Sequence, residues 1–124
     1  MIDEQSATGR VREIYDDIKR TKQIDFVPNF WKTLAAHPPL LDDTWQRLKR
    51  VMAPGALDAR TKEMLAVAVS ATNGCSYCIN SHTAAANKLG MTPQMYGELL
   101  EVVALFNATN TLADAFQVRP DVFP

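Results

Sequence analysis

The chain has two cysteines, set three positions apart as Cys75-Ser76-Tyr77-Cys78. A thiol pair at this spacing can close into a disulfide and be reduced again, which is two-electron chemistry carried by sulfur alone. His82 follows Cys78 at i+4 and so lies one helical turn further along the same face. An imidazole there can relay protons to a departing hydroxide or thiolate. Glu63 lies upstream in a strongly apolar segment, so its carboxylate is expected to be only partly solvated, a setting suited to a general base. Cys75, Cys78, His82 and Glu63 are the candidate catalytic residues.

Two helices must position them. Asp58 is a good N-cap for a helix that carries Glu63 in its second turn, followed by the apolar run Met64-Leu65-Ala66-Val67-Ala68-Val69-Ser70-Ala71. A helix apolar nearly all round belongs at the centre of a fold. Asn73-Gly74 is a glycine-type stop, and the next helix runs from about Cys75 to Leu89. Cys75 then sits at a helix N-terminus, where exposed amides and the positive dipole end favour thiolate, and Cys78 lies one turn further in. If the chain reverses at Gly74, the 1.5 Å rise per residue puts Glu63 and His82 at levels differing by roughly 4–5 Å. Spacing alone therefore predicts that a carboxylate and an imidazole meet beside Cys78.

Plainer readings compete. Two cysteines can be small apolar core residues. Two sulfurs, one imidazole and one carboxylate also make four zinc ligands, although ligands at i, i+3 and i+7 of one helix lie in a line rather than around a point. His82 alone reads as a hydrogen-bonded core histidine, and Glu63 alone as a surface glutamate. Only the joint spacing raises them. His37, before Pro38-Pro39, reads as a helix-end residue, and Met64, Met91 and Met95 as packing.

The rest of the chain is periodic in the helical sense, and nothing reads as a strand. Thr8 can cap a first helix with Val11, Ile14, Tyr15 and Ile18 on one face. Pro28 breaks the chain before a short helix bearing Phe30, Trp31 and Leu34. Pro38-Pro39 opens a third with the stripe Leu41, Trp45, Leu48 and Met52, closed by Pro54-Gly55. Gly90 ends the cysteine helix. Thr92-Pro93 starts another with Met95, Leu99, Val102, Val103 and Phe106, and a last short helix is expected around Leu112, Ala115 and Phe116. The expectation is an all-α fold of six to seven helices around a central antiparallel hairpin, one domain over residues 1–118 and a tail over 119–124.

Composition narrows the classes. At 124 residues and 47% hydrophobic the chain suits a single domain with a real core. Thirteen basic against fourteen acidic residues leave a net charge of −1, which draws the chain to neither nucleic acid nor a membrane surface. No stretch is long enough to span a bilayer and no secretory signal opens the sequence, so a cytoplasmic location is expected, where a close cysteine pair points to redox chemistry or metal. A short, apolar, near-neutral chain is also expected to self-associate.

Glu63, Cys75-Ser76-Tyr77-Cys78 and His82 together resemble the Glu…Cys-x-x-Cys-x-x-x-His signature of the AhpD-like alkylhydroperoxidases in the carboxymuconolactone decarboxylase superfamily. The similarity extends to Val27-Pro28-Asn29, Leu57-Asp58 and Leu112-Ala113-Asp114-Ala115. This resemblance implies an all-α homo-oligomer, a trimer or hexamer, that reduces alkyl hydroperoxides or disulfides as an antioxidant without haem, flavin or metal. Carried over, Cys78 attacks peroxide, Cys75 resolves the sulfenic acid as a disulfide, Glu63 is the base and His82 belongs to the proton relay. A dithiol donor, lipoyl or thioredoxin-like, restores the pair. Tyr77 departs from the pattern, since the best-studied members carry histidine there. The alternatives are a cofactor-free decarboxylase of the muconolactone type, whose known members do not use the cysteine pair, and a non-catalytic redox-sensing helical module.

Overall fold

The computed structural model describes residues 1–124, and its elements are helices. After a 3-10 turn at Glu4–Ser6 come α1 (Gly9–Lys22), α2 (Asn29–Leu34), α3 (Pro38–Met52), α4 (Ala59–Asn73), α5 (Ser76–Lys88) and α6 (Pro93–Ala115). No helix is long and apolar enough to cross a membrane. The chain divides into two compact units, Met1–Ala53 and Pro54–Pro124.

In the first unit, α3 packs on α1 and α2. The α1 stripe Val11, Ile14, Tyr15 and Ile18 is buried, and with Val27, Trp31, Leu41 and Trp45 it forms a continuous core. Trp31 and Trp45 meet edge to face, their ring centroids 5.2 Å apart, a geometry that suits opposed aromatic quadrupoles. Polar groups at the core's edge are satisfied. The Tyr15 hydroxyl donates to the Ile2 carbonyl at 2.7 Å, and the Glu4 carboxylate accepts from the Val27 amide at 2.7 Å and from Lys19 at 3.0 Å. His37 is the N-cap of α3, its Nδ1 accepting from the Leu40 amide at 3.2 Å. Asp17 gathers the Lys49 ammonium at 2.6 Å and the Trp45 indole N–H at 2.7 Å.

In the second unit, α5 packs on α4, and α6 packs on α4 as well. Asp58 caps α4 by accepting from the Thr61 amide at 2.7 Å. At its other end Gly74 adopts φ +71°, and two bonds close a Schellman turn: the Gly74 amide to the Ala71 carbonyl and the Cys75 amide to the Ser70 carbonyl, 3.3 and 3.0 Å. The same motif ends α5, with Gly90 at φ +91° and the buried Met91 folding back onto buried Ala86.

Two expectations change. The last short helix is not separate, because α6 runs unbroken through Leu112 to Ala115. The polar segment Asn107-Ala108-Thr109-Asn110 contains neither glycine nor proline, and the Thr111 hydroxyl returns to the Asn107 carbonyl at 2.8 Å, so nothing stops the helix. Nor are the apolar helices enclosed within this chain. On α4, Leu65 and Val69 are 51% and 60% exposed, and no residue of α6 is buried.

Two outcomes test this architecture. Lys49, then Trp45, hold the Asp17 carboxyl down from 3.8 to about 2. A carboxyl lowered by folding adds stability above its unfolded value and loses it as pH falls through the folded one. Asp17→Asn is expected to cost about 1–2 kcal/mol at neutral pH in urea unfolding and to flatten the stability loss between about pH 4 and pH 2. An unchanged acid limb contradicts this. At Gly74 a Cβ meets nothing within 4 Å, so Gly74→Ala carries only backbone strain. It is expected to lower stability by about 1 kcal/mol, read in the same assay.

Candidate active site at the α4–α5 reversal

The Schellman turn leaves the chain at Cys75, whose backbone (φ −85°, ψ 90°) is extended rather than helical. Cys75 is therefore the N-cap of α5, a place usually held by serine, threonine or aspartate. Its sulfur takes the capping role, with Sγ accepting from the Cys78 amide at 3.3 Å. Cys75 and Cys78 are joined by a disulfide, with their Cα atoms 5.3 Å apart. Both lie half-buried while Ser76 and Tyr77 between them are exposed, so the pair is set in the surface rather than sealed beneath it.

One turn along α5, His82 meets Glu63 of α4, with Nδ1 and Oε2 2.7 Å apart. Only 23% of the histidine side chain and 14% of the glutamate side chain are exposed. A carboxylate oxygen is an acceptor, so Nδ1 is the donor in this contact and Nε2 is the ring nitrogen outside it. Helix α5 carries no acidic residue of its own, so the carboxylate for His82 is delivered by the neighbouring helix. Val67 and Ser70 are buried on α4, and the Ser70 hydroxyl is returned to the Ala66 carbonyl at 2.6 Å. The Glu63–His82 hydrogen bond is thus largely shielded from water, where such a bond is stronger than at an open surface.

The structure joins the four candidate side chains in two pairs on neighbouring turns of α5. Cys75 and Cys78 are bonded, His82 is one turn from Cys78, and Glu63 is in contact with His82. No group of three or more histidine, cysteine, aspartate or glutamate side chains is arranged to hold a metal ion. Sequence reasoning did not single out Thr83. Its Oγ1 is buried without a hydrogen-bond partner, next to His82 and on the face shared by half-buried Ile79 and buried Ala86. The signal was available, since Ile79, Thr83 and Ala86 recur at helical spacing beside the Cys78–His82 line. Met64 and Met95 are half-buried and Met91 is buried, as packing residues are.

Known proteins resemble this chain in sequence and in fold. The model of the carboxymuconolactone decarboxylase family matches residues 38–118. The crystal structure of the alkylhydroperoxidase AhpD core from Rhodospirillum rubrum is 48% identical in sequence, with a TM-score of 0.87, over 90% of this chain and 83% of that one. An (R)-2-haloacid dehalogenase of Pseudomonas putida is 28% identical over 106 residues, which is 86% of this chain but only 35% of that longer protein. The alkyl hydroperoxide reductase AhpD of Maricaulis maris is 36% identical over 58 residues, 47% of this chain and 34% of that protein. With a family model spanning most of its length and a closely similar AhpD core structure, the chain belongs to the carboxymuconolactone decarboxylase family and, within it, to the AhpD-like proteins.

Proposed function

We propose that the protein is a thiol-dependent alkylhydroperoxidase working through Cys78, Cys75, His82 and Glu63. The observation that carries this reading is the disulfide at the start of α5, one turn from a half-buried imidazole–carboxylate pair. In the dithiol form the His82–Glu63 pair takes the Cys78 proton. The thiolate attacks the outer peroxide oxygen, the O–O bond breaks, and the alkoxide leaves with a proton from the same pair. Cys78 is then a sulfenic acid. Cys75 attacks its sulfur and expels hydroxide, which becomes water, and the disulfide seen in the structure forms. A dithiol of lipoyl or thioredoxin-like chemistry returns two electrons and opens the next cycle. The reducing cytoplasm is the setting that supplies such donors.

Self-assembly is part of the proposal. Val102, Leu105 and Phe106 on α6 are each more than half exposed, as are Leu112 and Phe116 beyond them, a run of large apolar side chains of the kind that marks an interaction surface. A second copy of the chain is the simplest cover.

Purified protein supplied with an organic hydroperoxide and a dithiol is expected to consume peroxide catalytically. Cys78→Ser should reduce this to background, and Glu63→Gln should lower kcat about 100-fold with intact thiols. Stoichiometric peroxide should remove two hydrogens from the protein mass and abolish both free thiols. Turnover that survives Cys78→Ser contradicts the mechanism. Light scattering after size exclusion is expected to give a mass of several chains, reduced by Phe106→Glu. A monomeric wild-type protein removes the assembly proposal.

A further inference from the structure

The two sulfurs of the disulfide are not equivalent as leaving groups. Cys75 Sγ is the N-cap of α5 and already accepts the Cys78 amide at 3.3 Å, at the helix end where unpaired amides and the dipole hold negative charge. Cys78 lies inside the first turn, and its amide is the donor in that bond. A thiolate formed at Cys75 therefore meets a stabilising group without any rearrangement. When a thiolate attacks a disulfide, one sulfur is bonded and the other departs with the electron pair, and the sulfur that better holds charge departs faster.

We propose that the reducing dithiol attacks Cys78, and that Cys75 is the sulfur released, as a thiolate capping α5. This rests on reading the pair as redox-active, but not on which peroxide oxidises it. In the first step the donor thiolate bonds to Cys78 Sγ, the Cys75–Cys78 bond breaks, and its electron pair goes to Cys75 Sγ. In the second step the donor's other thiolate attacks the donor sulfur held on Cys78. The donor closes its own disulfide, and Cys78 leaves and takes a proton from the His82–Glu63 pair. Two electrons pass from donor to protein. One sulfur, Cys78, thus meets both the oxidant and the reductant, while Cys75 serves as the intramolecular partner in each half-reaction.

The test traps the mixed disulfide on the wild-type chain. Oxidised protein is mixed briefly with 2-mercaptoethanol, a monothiol that has no second thiol of its own and so needs a second molecule for the second step, and quenched with iodoacetamide. Trypsin releases both cysteines on one peptide, and fragmentation at Ser76 and Tyr77 separates them. The mercaptoethanol adduct is expected on Cys78 with the alkyl group on Cys75, in about tenfold excess over the reverse arrangement. An even mixture, or the adduct on Cys75, overturns the proposal. If exchange outruns the quench, Cys78→Ser decides, because it keeps the backbone amide of residue 78. The Cys75 alkylation rate there should reach half-maximum at least about one pH unit below an ordinary thiol near 8.5. A midpoint at or above that value overturns the proposal as well. Both readings use no peroxide, so a protein lacking peroxidase turnover can still pass or fail them.

Discussion

The reversal at Asn73-Gly74 is the constraint on which the site depends. Glycine at φ +71° lets the last carbonyls of α4 be satisfied by the Gly74 and Cys75 amides, and this fixes where α5 begins. The helix starts at Ser76, just past its cap. That one choice of start makes Cys75 the cap, sets Cys78 one turn in, and turns His82 toward Glu63 on α4. A shift of one residue in the start would rotate the cysteine–histidine line by about 100° around α5 and separate the imidazole from its carboxylate.

The two units are held by different means. The first buries a compact set of aromatic and branched side chains and ties its helices with polar anchors such as Asp17 to Lys49 and Trp45. In the second, few side chains are fully enclosed: Val67, Ser70, Ala86 and Met91. The candidate site lies in this thinner unit, held by backbone turns, a disulfide and the half-buried His82–Glu63 hydrogen bond rather than by bulk.

Much of this was legible in the residues, and the reasons are local. Caps and stops are single-residue chemistry, so Asp58, Gly74, Gly90 and Thr92 marked their helix ends. The Glu63–His82 meeting followed from helix rise alone once the reversal was placed. What was not legible depended on context. A separate last helix was expected near Leu112, yet a helix ends only where the backbone must leave it, and nothing at Asn107 to Asn110 forces that. The apolar faces of α4 and α6 looked like core because sequence reports hydrophobicity but not what covers it. Thr83 was passed over because a hydroxyl's missing partner is a property of three dimensions. The roles expected of the four site residues come from resemblance and spacing together, and the structure adds the Cys75–Cys78 bond and the Glu63–His82 contact.

The central claim is that the Glu63–His82 pair activates the Cys78 sulfur. The most direct measurement is the pH dependence of Cys78 alkylation in Cys75→Ser, compared with the same variant carrying Glu63→Gln. The account predicts a midpoint below that of an ordinary thiol in the first, moving up by about one pH unit in the second as the carboxylate is lost. Identical profiles in the two proteins would contradict it.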